Sequence, residues 1–377
     1  MIIKQYKKLK NESLADALQE PQHLNNPLVL VFGNRFTLED PLLYNQLRNF
    51  FPNGSIVFGS SAGEIMGNRV YDDSLTITAI EFEKSRYEVV RENILDHDKN
   101  TKILGERLGQ KMPKKGLRHI FILSEGSFIN GSSLIEGLEL SNQETRITGG
   151  LCGDDARFEK TMASYNESPK QGEVIAIGLY GETLEITHAQ YGGWKPFGPE
   201  RIVTKSKANI LYELDNFPAL DLYKRYLGEK SKELPQAALL YPLRVKTSTK
   251  KESFVRTILS IDDSSNTMIL AGDVPEGATV QLMMASIDNI ADGALKAAEI
   301  GMLQRKTTPE LAIVVSCIGR KLVMDQRVEE EIEEVIEVIG DKATVCGFYS
   351  YGELAPFNTQ QSCELHNQTM TLTLISE

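Results

Sequence analysis

Three short apolar runs, Leu28-Val-Leu-Val-Phe32, His119-Ile-Phe-Ile-Leu123 and Leu311-Ala-Ile-Val-Val-Ser316, recur along the chain with the same neighbours. Each is followed by a helical stretch, a second short strand, a glycine-bracketed turn with small and acidic residues, and a longer strand. The turns are Gly59-Ser-Ser-Ala-Gly-Glu64, Gly149-Gly-Leu-Cys-Gly-Asp154 and Gly347-Phe-Tyr-Ser-Tyr-Gly-Glu353, and the long strands cover 75–82, 173–180 and 369–375. Apolar runs of this kind belong to strands buried on both faces, which need crossover helices, so the pattern predicts an α/β fold. The long strands pair more naturally as antiparallel hairpins, which makes the sheets mixed parallel and antiparallel. An earlier strand and helix precede each copy: 2–9 with a helix over 12–19, 87–91 with 100–110, and 279–284 with 287–302. The unit therefore reads strand-helix-strand-helix-strand-turn-strand, a repeat weak in identity and clear in order.

The last helix carries Val328, Ile332, Val335, Ile336 and Ile339 on one side and glutamates on the other, with Asp325 as N-cap and Gly340 as stop. Its glutamates read as a solvated face. Between the second and third copies, 181–278 is a strand-rich middle region. It has strands at 184–190, 201–204, 237–241, 254–261 and 267–270, turns at 262–266 and 273–277, one helix around 218–227 and a polar loop over 246–251.

At 377 residues the chain has room for two or three domains. A formal net charge of −11 argues against nucleic acid as a partner, and the basic opening Lys4 to Lys10 reads as an edge strand. The N-terminus lacks a signal-peptide core and no apolar run approaches a membrane span, so the expected location is the cytoplasm, without membrane insertion. The four cysteines, Cys152, Cys317, Cys346 and Cys363, form no C-x-x-C pair, which argues against zinc, and Cys317 and Cys346, in apolar strands, read as small buried hydrophobes.

Gly59-Ser60-Ser61-Ala62-Gly63 matches the G-x-S-x-G nucleophile elbow, the one enzymatic signal present. An elbow must open into a helix, whereas the residues after Glu64 read as turn and strand entry, and the other two turns carry Leu151 and Tyr349 where Ser61 stands. Two readings of the glycine turns stay open. Their free N–H groups, with Ser60, Ser61, Tyr349, Ser350 and Tyr351, line a pocket for something small and polar, or they are tight turns that only close the fold. Glu64, Asp154 and Glu353 follow the glycines in all three copies and cap N–H groups or bind a ligand.

His188 and His366 point inward by strand alternation, as hydrogen-bonded core residues or as ligands to haem iron. His97, His23 and His119 read as surface. Arg320, at the end of a buried strand, clamps a carboxylate or phosphate, or pairs with a structural acid such as Glu353. Trp194, the only tryptophan, is a cavity lid or a packed loop anchor.

Gly193-Trp-Lys-Pro-Phe-Gly-Pro199, Leu214-Asp-Asn-Phe-Pro-Ala-Leu220, Ala271-Gly-Asp-Val-Pro-Glu-Gly277, Val315-Ser-Cys-Ile-Gly-Arg-Lys321, Gly347-Phe-Tyr-Ser-Tyr-Gly-Glu353 and Leu365-His-Asn-Gln-Thr-Met-Thr-Leu372 resemble the FIST family over nearly the whole chain. The N-terminal strand and helix over 1–27 are expected to pack on the first unit, and the resemblance, from Leu28 onward, implies a FIST N-terminal domain over 28–217 and a FIST C-terminal domain over 218–377. It further implies a sensory, ligand-binding protein of bacterial signal transduction. With no room for an output domain, signalling is expected in trans to a histidine kinase or another output protein. Some stand-alone members are haem-binding nitric oxide sensors, which makes haem with nitric oxide the first expected ligand, with His188 or His366 on the iron. An amino acid or other small polar metabolite is the second, and a serine hydrolase built on Ser61 the alternative of another class. No catalytic activity is expected. The candidate ligand-binding residues are Ser60, Ser61, Gly63, Glu64, Cys152, Asp154, Trp194, Ser316, Arg320, Tyr349, Ser350, Tyr351, Glu353 and Asn367.

Overall fold

In the computed structural model, which describes residues 1–18, 24–248, 252–303, 305–358 and 362–377, each apolar run is a buried central strand. Leu28–Gly33 lies parallel to Ser55–Ser60 and antiparallel to Leu75–Glu81. Leu117–Ser124 stands in the same relation to Arg146–Leu151 and Glu173–Tyr180, and Leu311–Cys317 to Thr344–Ser350 and Met370–Ser376. The result is the mixed α/β architecture that the pattern predicts. His119, read as surface, is instead buried at 1% exposure, because its strand is covered on both faces.

An outer strand completes each unit: Ile2–Lys8, Arg86–Asn93 and Glu185–Tyr191 pair with the three long strands. The third corrects the sequence expectation, since Thr279–Met284 belongs to a separate nine-stranded sheet. The chain leaves the third unit after Glu185–Tyr191, builds that sheet from Lys195 to Met284, and returns at the helix Ile287–Met302. Exit and return run side by side, Lys195 opposite Met284 and Pro196 opposite Met283. An insertion between a strand and its own helix hides the repeat, because pattern reading measures adjacency along the chain.

The glycine turns hand the chain from sheet to sheet. After Ser55–Ser60 the chain adds Glu64–Met66 to the third sheet, beside Thr344–Ser350. After Thr344–Ser350 it adds Gly352–Pro356 to the second, beside Arg146–Leu151. After Arg146–Leu151 it adds Ala163–Tyr165 to the first, beside Ser55–Ser60. Each sheet thus has an edge covered by its neighbour, and the three close into a ring.

Smaller departures have local causes. Residues 237–241 form the 3₁₀ turn Gln236–Leu240 in place of a strand, bracketed by Pro235 and Pro242, neither of which has an N–H to donate to a ladder. The last helix is Glu330–Ile339, stopped by Gly340 at φ 86, but Asp325 is not its N-cap. Asp325 closes the preceding helix Ile318–Met324 at φ 48. The first helix is the short Leu14–Ala17, capped by Ser13. His23 and residues 249–251 of the polar loop lie outside the described residues.

The exchange makes a testable demand on Ile65, which is fully buried in a three-residue strand paired to another unit. Ile65→Ala should cost about 2 to 5 kcal/mol in urea unfolding. Val70→Ala, in the half-exposed outer strand Arg69–Tyr71, should cost clearly less.

Candidate functional site

The three turns meet backbone to backbone. Ala62 N donates to Tyr349 O at 2.9 Å, Tyr349 N to Gly63 O at 2.8 Å, Gly153 N to Ser60 O at 3.0 Å and Tyr351 N to Leu151 O at 3.0 Å. Space is the constraint: a Cβ on Gly153 would lie 2.9 Å from Ala62 N and 3.1 Å from Tyr349 O. The convergence read from the sequence is real, but it fills the axis with chain.

The first and third turns share Ser-x-Gly-Glu, and the carboxylates repeat one role. Ser61 and Ser74 hydroxyls both donate to Glu64. Ser350 donates to Glu353 at 2.6 Å, and Thr369 reaches it through N at 3.1 Å and Oγ1 at 2.9 Å. In the second turn Asp154 pairs instead with Arg35 at 3.3 Å. Burial pushes Glu64 up to about 8 and Glu353 to about 7, against the lowering effect of their hydroxyl donors. Ser61 is fully buried and runs into the strand Glu64–Met66 where an elbow would need a helix, and its only hydroxyl partner among the described residues is Glu64. Ser60 accepts from Met162 N at 2.9 Å, and Cys152 is a buried free thiol.

Arg320 has a structural acid, and it is Glu331 in place of Glu353. Both side chains are at 0% exposure; Arg320 Nη2 lies 2.8 Å and Nε 2.9 Å from Glu331 Oε2. Glu331 Oε1 accepts from Tyr349 OH at 2.5 Å and Ser316 Oγ at 3.0 Å. The remaining guanidinium donors go to Gly192 O, just after the chain leaves the third unit, and to Ile290 O at 2.9 Å, just after it returns. Arg320 therefore grips both crossings of the inserted sheet, and its fork has no room for a ligand carboxylate. Glu331, one of the glutamates assigned to a solvated face, is the partner that helical periodicity missed. Trp194 packs with Met283, Ile290, Ala291 and Met324 as an anchor of the same joint.

Two further residues tie the joint. Gln368, at φ 64, reaches Leu239 O at 2.9 Å and Thr257 Oγ1 at 3.0 Å across into the inserted sheet. Asn367 is fully buried, and both ends of its amide lack a partner among the described residues.

The inward histidines sit on edge strands of different sheets. His366 Nε2 bonds Ala355 O at 2.9 Å, and its ring stands edge-on to Phe357 at 4.6 Å. His188 is buried, with its ring nitrogen Nδ1 unpartnered among the described residues, and burial lowers it to about 4. A proximal ligand must present a nitrogen into a slot for the macrocycle. Neither histidine lines either of the clefts below, so the residues present do not fit haem.

Two adjoining clefts lie between the inserted sheet and the second unit. A cleft of about 390 Å³ is walled by Gly126 to Asn130, Leu151, Phe158 and Tyr351 on one side, and by Asn209, Leu259, Ser260 and Ile269 to Gly272 on the other. Phe158 and Tyr351 stack at 4.4 Å and 19°. Asn130, capping the helix Gly131–Glu139, donates to Asp273 Oδ1 at 3.0 Å and joins the two walls. Beyond it a second cleft of about 300 Å³ contains Arg256, whose bonds run to carbonyls of Val255, Asp273 and Leu365. Of the predicted ligand residues only Tyr351 lines the larger cleft. The loop after Leu117–Ser124 was the available signal, since ligands gather where parallel strands end.

Family models match two successive stretches, the FIST N domain over residues 27–216 and the FIST C domain over 219–356. The chain belongs to the FIST family. FIST domains are sensory ligand-binding domains of signal transduction. The boundary between the two falls inside the inserted sheet, beside the hairpin of Ile210–Leu214 and Phe217–Pro218. This FIST chain is 22% identical over 373 aligned residues to the uncharacterized protein MJ1623 of Methanocaldococcus jannaschii, covering 88% of this chain and 69% of that one. Among solved structures, a cyanuric acid hydrolase matches at TM-score 0.37 with 8% identity, covering 99% of both chains. A chorismatase matches at 0.34 with 9% identity, covering 100% of this chain and 98% of that one. Likenesses at that level carry no weight for activity.

Removing Glu331 from its buried partner should be severe: Glu331→Ala is expected to cost about 3 to 5 kcal/mol, read by chemical denaturation. The axis carboxyls set a pH dependence. Each binds its proton more tightly folded than unfolded, so their contribution is full below about pH 4.5 and falls as pH rises through about 7 and 8. His119 and His188, lowered to about 3 and about 4, act only below their unfolded value of 6.5. Between pH 6.5 and 8.5 the Tm should therefore fall, and Glu64→Gln should flatten that fall.

Proposed function

We propose that this FIST protein is a cytoplasmic sensor that binds a small metabolite between its inserted sheet and its three-unit ring, and signals to a separate output protein such as a histidine kinase. The observation that carries this reading is the cleft of about 390 Å³ at that joint, because a ligand touching both walls favours one relative placement of them. Among the described residues, ties across the joint include the paired crossings at Lys195 and Met284, the Arg320 grip on Gly192 and Ile290, the reach of Gln368, the Asn130 bond to Asp273 and the Arg256 bond to Leu365 O. Arg320 continues through Glu331 to Tyr349 at the axis, so a shift at the joint has a contiguous route into the ring. No helix among the described residues is long and apolar enough to cross a membrane.

Binding is favoured over the other readings by geometry. Among the described residues the Ser61 hydroxyl meets Glu64 and no histidine, and it is fully buried and lines neither cleft. Among the described residues no histidine lines either cleft for haem, and the amino-acid reading through Arg320 lacks a free guanidinium.

The test is ligand capture. Purified protein is incubated with the small-molecule fraction of a cell extract, ultrafiltered and denatured, and released compounds are identified by mass spectrometry. The expected result is a compound retained by the wild type and lost from Ser260→Trp, which fills the cleft. Equal retention by both, or none by either, would sink the proposal.

A further inference from the structure

The lining of the larger cleft restricts what it accepts. Among the described residues Tyr351 is its one ionisable side chain, and that hydroxyl is already used, accepting from Phe158 N at 3.0 Å and donating to Asp155 O at 3.2 Å. The carboxylate behind the loop, Glu125, is occupied by Ser127 N at 2.7 Å, Phe128 N at 2.8 Å and the Thr161 hydroxyl. An ion or zwitterion entering the cleft would lose water and find no counter-charge among its described lining residues; at the rim, the cation Lys99 has its Nζ 5.4 Å from the Phe128 ring.

The walls do offer flat apolar faces. Phe158 stacks on Tyr351 while its own backbone sits at φ 55, a left-handed conformation that is strained for a bulky residue and that clusters at ligand sites. Phe128 stands at the rim with 42% exposure, on a loop pinned by Glu125. Opposite them, Asn209 uses its Nδ2 on Leu270 O at 2.9 Å, and neither its Oδ1 nor Ser260 Oγ makes a bond among the described residues. The cleft thus presents an acceptor and a hydroxyl facing aromatic surface.

We infer that the cleft selects an uncharged, flat heteroaromatic ring with hydrogen-bonding edges, of nucleobase or nicotinamide size, and rejects ionic amino acids. This rests on the cleft being the ligand site and specifies the chemical class it takes. Stacking supplies the attraction for a ring, and Asn209 and Ser260 read its polar edge.

Calorimetry and thermal shift on the full chain, with adenine, uracil and nicotinamide against glutamate, arginine and glucose, test it. At least one flat probe should bind and raise Tm by about 5 °C at a hundredfold excess over its Kd, while the other three leave it unchanged. Ser260→Trp should weaken that probe at least tenfold. Phe128→Ala, at an exposed rim position where folding is not at stake, should weaken it about threefold. Failure of all three flat probes overturns the inference. Glutamate or arginine binding that Ser260→Trp abolishes overturns the class while the cleft stands. A flat probe that binds wild type and both variants equally removes the cleft as the site, and both readings fall.

Discussion

Each of the three sheets is unfinished without a strand from another unit. A buried strand must satisfy its backbone on both sides, and Ser55–Ser60, Arg146–Leu151 and Thr344–Ser350 each do so with a strand that follows the next unit's glycine turn. That obligation pulls three turns to one axis and leaves room there for little beyond backbone. Small residues follow from the crowding. So do the paired hydroxyls on Glu64 and Glu353, since a buried carboxyl needs partners whether or not it holds its proton.

Because the axis is filled, the clefts described above lie farther out, where the fold is interrupted. The inserted sheet enters and leaves the third unit through one narrow stem, and the fully buried Arg320–Glu331 pair holds both passages. A buried ion pair adds little net stability compared with apolar packing, but it specifies geometry. Here it fixes where an otherwise separate sheet leaves the ring, with Trp194 and Gln368 packed or bonded around the same joint. The cleft lies beside that joint, with one wall on the inserted sheet and the other on the ring.

Several residues that looked like ligand contacts turn out to be ligands of the protein itself. Arg320, Ser316, Tyr349, Glu64 and Glu353 are polar, sit at the ends of buried strands and converge, the same signature a binding site would leave. What separates the two cases is whether the partner is internal, and sequence spacing does not carry that information. Tyr351 alone serves both purposes, bonded to the second turn and exposed to the cleft.

The chain's own pattern determined the three units, the mixed sheets, the strand-rich middle region and the convergence of the glycine turns, because apolar runs, helical periodicity and turn residues act over a few neighbours. Tertiary structure alone decided that Glu185–Tyr191 completes the third unit, that the turns exchange edge strands, that Glu331 neutralises Arg320, and that open space lies between Ser127 and Ser260. Those contacts join residues far apart in the chain, and their energies depend on burial and distance that no local pattern encodes.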